Sequence, residues 1–227
     1  MDPFQYNKID ERYNDVTSLP TTRLLEDILK SHIGVVHGLE VLDLACGTGY
    51  WSRKSIDRGA KKVVGVDISK VMVDIARLQA RAQDPSEFHV VDCIAPFNMG
   101  TFDLVLGIWL LNYAEDKTEV VKPGGRFVGV IPNYEILQTT ACGQEYHFGG
   151  VTYKVLERFT EGARIQVSLD TTDPITFSCY MLEPWLHEEC AIQAGFNGLR
   201  WEPLPSELDV EVGPLFFQII TASRPKA

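Results

Sequence analysis

Residues 41–49 read VLDLACGTG and are the most informative part of the sequence for predicting the fold. An apolar strand runs directly into a turn of small residues, and a helix-like stretch from Tyr50 to Arg58 follows. Small residues in such a turn let a ligand approach the backbone closely, because no side chain stands in the way. The free amide groups at the start of the helix favour negative charge. The pattern is therefore typical of a ligand site between a strand and a helix.

Short apolar runs alternate with longer amphipathic stretches over the first half of the chain. The runs are continuous in Val, Ile and Leu, which is typical of strands buried on both faces of a parallel sheet. Helical patterns lie between them and fit the crossovers of βαβ units, so we predict an α/β fold with a doubly wound sheet. The predicted strands are residues 39–45, 62–67, 88–92, 102–109 and 126–132.

Acidic residues stand in or at the ends of the predicted strands, namely Asp43, Asp67 and Asp92. The carboxyl ends of parallel strands line one crevice, so we expect these carboxylates to converge there. Asp67 follows Gly47 by twenty residues, a position suited to accept hydrogen bonds from two ribose hydroxyls. A purely structural interpretation is also open, in which the glycines only make a tight turn and Asp67 caps a helix at Ser69.

The pattern of polar and apolar residues changes in the rest of the chain. Residues 152–182 alternate polar and apolar side chains between Gly and Asp-Pro breaks, which is typical of a β-hairpin. A helix is expected from Pro184 to Ala194, followed by a last apolar strand over 213–224. We predict one domain over 1–227, made of an N-terminal helical cap, a core, a hairpin lid and a C-terminal helix with a strand: 1–37, 38–132, 133–182 and 183–227.

The amino-acid composition argues against several classes of function and location. The chain carries 21 Lys and Arg against 31 Asp and Glu, and its net charge of -10 argues against binding nucleic acid by phosphate neutralisation. No run approaches the roughly 18 apolar residues of a transmembrane helix, and the N-terminus lacks the apolar core of a secretory signal. The 5 cysteines are scattered, which disfavours a disulfide framework or a metal site and favours a cytoplasmic location.

Two cofactor classes compete for the glycine turn. A dinucleotide site needs a third small residue, as in G-x-G-x-x-G, but Gly49 is followed by Tyr50, Trp51 and Ser52. The motifs DLACGTG, VVGVDIS, FHVVD and VKPGGRF instead resemble, in order and spacing, those of class I S-adenosylmethionine-dependent methyltransferases. The resemblance spans residues 39–132. It implies S-adenosylmethionine as the cofactor and a mostly parallel, seven-stranded Rossmann-like sheet with an antiparallel C-terminal strand.

The resemblance also implies roles for single residues. Asp43 would hold the turn and the methionyl ammonium, Asp67 the ribose hydroxyls, and Asp92 the adenine amino group. Because Asp67 would face the crevice, we expect Asp67→Ala to weaken binding more than it lowers stability. The remaining implied contacts are Ala45, Cys46 and Gly47 along the methionyl part, Ile68 and Cys93 beside adenine, and Gly107 facing the sulfonium. Ala45 stands where the family usually has glycine.

The N-terminal segment, with Tyr6, Ile9 and Tyr13 at helical spacing, resembles one branch of small-molecule methyltransferases. In that branch the segment folds over the cofactor, which implies that Tyr13 lies at the site, although packing alone also explains the tyrosines. Residues 110–116, LLNYAED, are similar to the branch that contains the toxoflavin-pathway N-methyltransferase. That branch implies a small-molecule substrate of secondary metabolism.

Methyl transfer is an in-line displacement that needs a lone pair held about 3–3.5 Å from the methyl carbon. A neutral heterocyclic nitrogen needs no base, whereas a phenol or thiol would, and His147 is the histidine best placed by sequence. Trp109 and Tyr113 would hold a planar acceptor by stacking or stabilise the sulfonium through their ring faces. The structural alternatives are core packing for Trp109 and a surface position for His147.

The connection between Trp109 and Arg126 is short, with only 16 residues. A parallel crossover needs at least about 10–12 residues, so the link closes but leaves room for one or two helical turns. We therefore expect an exposed apolar sheet face that promotes self-association, as in a homodimer, or weakens the fold. The sequence predicts a methyltransferase for a small planar metabolite. A non-catalytic cofactor-binding regulator and a protein-directed methyltransferase stay open.

Overall fold

The computed structural model describes residues 5–93, 98–113, 126–202 and 215–224, except the side chains of residues 10, 11 and 113. Two β-sheets lie within these residues, one of seven strands and one of four. Helices flank the larger sheet, and the sheet confirms the predicted doubly wound α/β fold.

The seven-stranded sheet has the order β10-β11-β5-β4-β1-β2-β3. Strands β1 to β5 are parallel, β11 is antiparallel to β5, and β10 is antiparallel to β11. The antiparallel end was predicted for the last strand, whereas β10 was not. The strands are β1 Glu40–Leu44, β2 Lys62–Asp67, β3 Ser86–Val90, β4 Leu104–Ile108, β5 Arg126–Pro132, β10 Leu199–Glu202 and β11 Phe217–Ser223.

The centre of this sheet is covered on both faces. Every residue of β4 is buried, and in β5 only Arg126 is not. The ring of Phe127 lies against the paired Gly107 and Gly129, where an added Cβ would stand 2.7 and 2.8 Å from it. The expected exposed apolar face is therefore wrong for the described residues. The short connection at 114–125 lies outside the part of the chain that the structure describes.

The helices begin and end at the signals that the sequence carries. Pro20 opens α1, where its missing amide hydrogen costs nothing, and Gly34 ends it at φ 66°. Ser69 caps α3, because its Oγ accepts a hydrogen bond from Met72 N at 3.3 Å. No helix among the described residues is both long and apolar enough to cross a membrane. The α-helices are α1 Pro20–Ile33, α2 Tyr50–Asp57, α3 Lys70–Gln79, α4 Glu135–Thr139 and α5 Pro184–Gln193.

Three short 3-10 helices complete the described structure. Two of them, Gln5–Lys8 and Asp10–Ser18, form the N-terminal segment. The third, Leu111–Tyr113, follows β4 and packs against β5 and against β9, the strand Ile175–Leu182 of the smaller sheet. The helical N-terminus was predicted, and its first part consists of these two 3-10 helices rather than an α-helix.

The predicted hairpin is part of a larger antiparallel sheet with the order β6-β7-β8-β9. One face of this sheet is buried, and Tyr153 and Ile165 pack in the same core as Val130 of the large sheet and Leu29 of α1. The alternation seen in the sequence follows from this one-sided burial. The strands are β6 Glu145–Phe148, β7 Val151–Phe159, β8 Gly162–Leu169 and β9 Ile175–Leu182.

Candidate active site

A cavity of about 160 Å³ lies at the carboxyl ends of β1, β2 and β4. The strand order reverses between β1 and β4, and open α/β sheets bind their ligands at such a switch point. The glycine turn, the N-terminal segment and the buried face of the small sheet surround the cavity. From the strand ends and the turn, the residues in its wall are Ala45, Cys46, Gly47, Thr48, Asp67, Ile108 and Trp109.

The glycine turn has left-handed backbone at three positions. Gly47 and Gly49 adopt φ 53° and 80°, and Ala45 adopts φ 55°, a conformation that side chains rarely take. Gly49 N donates a hydrogen bond to Cys46 O at 2.8 Å and closes the turn. A Cβ added to Gly47 would meet only Tyr13 Cε1, at 4.0 Å, so the backbone there is open towards the cavity. The turn is thus a cradle with room for a ligand.

Asp67 is at the end of β2 and holds the turn in place. Its Oδ2 accepts a hydrogen bond from Gly47 N at 2.9 Å, and its Oδ1 accepts one from Ser69 N at 2.8 Å. Burial raises the pKa of this carboxyl, and the two amide donors oppose that effect. Each carboxylate oxygen keeps a further lone pair. The residue therefore joins the structural role at Ser69 with a position in the cavity wall.

Asp43 lies beneath the turn and not in the cavity wall. It is 1% exposed, and its Oδ2 accepts a hydrogen bond from Ser52 Oγ at 2.5 Å. Burial raises the pKa of this carboxyl to about 7, although the Ser52 hydroxyl stabilises its charged form. The side chain thus ties α2 to β1. The structure shows no contact of Asp43 with the cavity where the methionyl ammonium was expected.

Two tyrosines of the N-terminal segment, Tyr6 and Tyr13, form part of the cavity wall. The rings of Tyr6 and Tyr13 meet edge to face with centroids 5.5 Å apart, and Tyr6 lies 5.4 Å from the ring of Phe177 on the small sheet. Burial raises the pKa of Tyr13 to about 12, with a smaller contribution from the charge of Asp67. Tyr13 therefore stays protonated and lies between the glycine turn and the small sheet.

Side-chain hydrogen bonds fasten the N-terminal segment to both halves of the site. Gln5 Nε2 donates to Ser178 O at 2.9 Å, and its Oε1 accepts from Ser178 N at 3.1 Å. Asn7 Oδ1 accepts a hydrogen bond from Ser69 Oγ at 2.6 Å. The segment therefore bridges β9 and the start of α3.

The opposite end of the cavity is aromatic and apolar. Trp109 follows β4 with φ 64°, and its N donates to Val130 O at 2.9 Å. Its ring stacks on Phe216 with centroids 5.8 Å apart and an interplanar angle of 26°. The small sheet adds inward-facing side chains from three strands: Val151, Tyr153, Val167, Leu169, Phe177 and Cys179.

His147 and Tyr113 were expected to take part in catalysis. The structure places His147 outside the cavity wall, because strand alternation turns its neighbours Tyr146 and Phe148 inward and leaves it exposed. His147 Nδ1 is instead 2.8 Å from Thr152 Oγ1 on β7. The side chain of Tyr113 lies outside the described residues.

Four predicted cofactor contacts also lie away from the wall. Gly107 provides space for the ring of Phe127 rather than for a ligand. Asp92 is exposed beyond the end of β3, because that strand pairs over residues 86–90 instead of 88–92. Cys93 is buried and Ile68 is partly buried, and neither lines the cavity.

Several wall residues were not identified from the sequence. Tyr153 and Phe177 belong to the inward face of the small sheet, and the period-two alternation of that region was their signal. Phe216 precedes β11 and carried no local signal, because only the fold brings it to Trp109. Asn112, in the 3-10 turn after β4, also lines the cavity, whereas the sequence pointed to its neighbour Tyr113.

Comparison with known proteins agrees with this geometry. Residues 41–125 match the family model described as a methyltransferase domain. A demethylmenaquinone methyltransferase of Lactococcus lactis is 32% identical over 162 residues. That match covers 64% of this chain and 64% of the relative, so the chain spans less than two thirds of the relative's length.

Solved structures share the fold. An S-adenosylmethionine-dependent methyltransferase from Mesorhizobium loti superposes with a TM-score of 0.63 at 21% identity, covering 88% of this chain and 98% of the other. A sugar N-methyltransferase from a Streptoalloteichus species superposes with a TM-score of 0.54 at 20% identity, covering 91% and 85%. The chain therefore has the fold of these methyltransferases, and its residues 41–125 are similar to a methyltransferase domain.

Proposed function

We propose that the chain binds S-adenosylmethionine over the glycine turn and methylates a nitrogen or oxygen atom of a small, planar molecule. The observation that carries this proposal is a single cavity with a polar end at Gly47 and Asp67 and an aromatic end at Trp109. When bound, S-adenosylmethionine supplies an electrophilic methyl group. The chain contributes by holding the two reactants in line and by excluding water.

The polar end fits the cofactor. The open backbone at Gly47 gives room for the methionyl part, and Asp67 offers the unused lone pairs of its two oxygens to a ribose diol. Tyr13 closes this end from above without carrying a charge near neutral pH. These three residues would hold the cofactor.

The aromatic end fits a small acceptor. The rings of Trp109 and Phe216 present flat apolar faces, and such faces bind planar rings by stacking. The N-terminal segment lies against the cavity through Tyr6 and Tyr13, and a cavity covered in this way suits a compact molecule better than a side chain carried on a macromolecule. A substrate of secondary metabolism, methylated in the cytoplasm, is part of this proposal.

Calorimetry and a transfer assay test the proposal. S-adenosylmethionine and its demethylated product should bind, and NAD should not. A screen of labelled methyl transfer should then give small methylated products from heterocycles, amines or phenols. Binding without transfer to any acceptor would point to a regulatory protein, and transfer only to an intact protein would point to a protein-directed enzyme. Either result would contradict the proposal.

Trp109→Ala tests the acceptor end. We expect kcat to fall roughly 10- to 100-fold, because a misplaced acceptor loses its alignment with the methyl group. The Kd for S-adenosylhomocysteine should change less than about threefold. Trp185→Ala is the matched control, since that tryptophan is 46% exposed on α5 and outside the cavity. An equal fall in kcat in both variants would show that Trp109 does not position the acceptor.

A further inference from the structure

A second cavity, which we call the arginine groove, lies beside the glycine turn. It has a volume of about 530 Å³ and is lined by residues of α2, of the end of α3 and of the N-terminal segment. Thr17 and Tyr50 line both this groove and the first cavity, so the two are neighbours. Six further side chains complete the wall of the groove: Asn14, Arg53, Lys54, Asp57, Gln79 and Arg81.

The arginine groove is positively charged on an acidic protein. Its wall has three cations, Arg53, Lys54 and Arg81, against one anion, Asp57, which leaves a net charge of +2. The whole chain carries a net charge of -10. A local positive region of this kind attracts anions and raises their concentration at the surface.

Two of the three cations already have carboxylate partners. Lys54 Nζ lies 2.7 Å from Glu26 Oε1. Arg81 lies 2.6 Å from Asp57 Oδ1 through its Nη2, and 3.0 Å from Asp84 Oδ1 through its Nε. The charge that lacks a partner in this groove is therefore the remaining arginine.

Arg53 is partly buried, and no described carboxylate lies within 4 Å of its guanidinium. Its Nη1 donates a hydrogen bond to Thr48 O at 2.6 Å. A Cβ added to Gly49 would stand 3.1 Å from the same nitrogen, so the guanidinium lies against the glycine turn. Burial lowers the pKa of Arg53, the negative charge of Asp57 opposes this effect, and the positive charge of Arg81 adds to it.

An arginine in this position is suited to bind an anion. A partly buried charge without a partner is unusual, because removal from water costs free energy that an opposite charge recovers. A guanidinium presents several N–H donors in a planar fork, and within the described residues Arg53 uses one of them, on Thr48 O. The other donors can bind an oxyanion in the groove.

The surrounding donors fit a phosphate group better than a carboxylate. The side-chain amides of Asn14 and Gln79 line the groove and make no hydrogen bond within the described part of the chain, and Arg81 keeps its Nη1 for a further acceptor. A phosphate monoester has three acceptor oxygens and a charge of about −2, whereas a carboxylate has two oxygens and a single charge. The volume of the groove also leaves room for the organic part of a small ester.

We propose that the arginine groove binds the phosphate group of a small phosphate monoester, with Arg53 as its main partner. Arg81 and the amides of Asn14 and Gln79 complete the contacts. Asp57 opposes binding through its like charge. The site is separate from the cavity of the proposed function, and binding there requires neither S-adenosylmethionine nor methyl transfer.

Isothermal titration of the wild-type protein tests the ligand class. Glycerol 3-phosphate and glycerate are titrated at pH 7.5 and equal ionic strength. We expect glycerol 3-phosphate to bind at least about 10-fold more tightly, because its dianion meets more of the donors, and its Kd to rise with salt concentration. Equal Kd values for the two compounds, or no binding of the phosphate at millimolar concentration, would overturn the proposal.

Variants of Arg53 test the residue. Arg53→Met keeps an apolar stem against the turn and should raise the Kd for glycerol 3-phosphate at least about 10-fold, and Arg53→Lys should fall between it and wild type, because it keeps the charge without the fork. Arg77→Met is the matched control. Arg77 also donates to a backbone carbonyl, Phe88 O at 2.6 Å, but it pairs with Asp74 at 3.3 Å and lies outside the groove. Equal effects of Arg53→Met and Arg77→Met would assign the binding to overall charge and contradict the proposal.

Asp57→Asn should change the Kd in the opposite direction. The variant removes the like charge from the groove and keeps an oxygen for Arg81, so we expect glycerol 3-phosphate to bind about 3- to 10-fold more tightly. An unchanged or higher Kd would show that the phosphate does not bind in this groove. This result does not depend on whether Arg53→Met folds, which circular dichroism checks.

A titration with S-adenosylhomocysteine present tests the location. Because the groove and the first cavity are separate, the Kd for glycerol 3-phosphate should stay within about threefold when saturating S-adenosylhomocysteine is added. Loss of phosphate binding would place the phosphate in the first cavity and overturn the proposal.

Discussion

Asp67→Ala is expected to weaken both the fold and cofactor binding. The variant removes the acceptors of two backbone amides, Gly47 N at 2.9 Å and Ser69 N at 2.8 Å. A hydrogen bond to a charged group contributes about 1.5–3 kcal/mol, and water in the adjacent cavity replaces part of what is lost. We therefore expect the free energy of unfolding to fall by about 2–4 kcal/mol. Urea denaturation followed by circular dichroism, without ligand, measures this change.

Binding should weaken in the same variant for a second reason. The ribose hydroxyls lose their charged acceptor, and about 1.5–3 kcal/mol corresponds to a Kd roughly 10- to 150-fold higher. Isothermal titration with S-adenosylhomocysteine below the unfolding transition measures this effect. From the sequence alone we predict a larger effect on binding than on stability. The hydrogen bonds from the two backbone amides to Asp67 add a loss of folding stability that the sequence did not indicate.

Asp103→Ala is the matched control for Asp67→Ala. Asp103 Oδ2 also accepts a hydrogen bond from a backbone amide, Glu40 N at 2.9 Å, but at the opposite end of the strands and in an exposed position. We expect a loss of less than about 1 kcal/mol and an unchanged Kd. If Asp67→Ala matched this control in both measurements, the reasoning about Asp67 would be refuted. A lower stability with an unchanged Kd would leave Asp67 a purely structural residue.

Two further predictions concern the buried acid beneath the turn and the N-terminal segment. The pKa of Asp43 is about 7 in the fold against 3.8 as the ordinary value, so its stabilising contribution is complete below 3.8 and is lost as pH rises through 7. Asp43→Asn should therefore gain roughly 2–3 kcal/mol relative to wild type between pH 5 and pH 8 in urea denaturation, and a constant difference would contradict this. Gln5→Ala loses two hydrogen bonds to Ser178 and should raise the Kd for S-adenosylhomocysteine about 3- to 10-fold in titration calorimetry, because closing the segment becomes less favourable. An unchanged Kd would show that the segment does not help to hold the cofactor.

The polar end of the cavity, at Gly47 and Asp67, could be predicted from local sequence. The strand-turn-helix at residues 41–57 depends on apolar runs, small residues and positive φ angles, all of which act between near neighbours in the chain. Asp67 was identifiable for the same reason, since parallel strands end at a common edge. The one-sided small sheet was also visible, because alternation of polar and apolar residues has a period of two.

The aromatic end of the cavity depends on tertiary structure alone. Phe216 reaches Trp109 from more than a hundred residues away along the chain, and no local pattern reports such a contact. Strand register placed Asp92 outside the cavity wall, and the ring of Phe127 took the space expected for a ligand at Gly107. The buried Oδ1 of Asn112, which has no hydrogen-bond partner in the described structure, was likewise not predictable, because the lack of a partner is a property of packing and not of sequence.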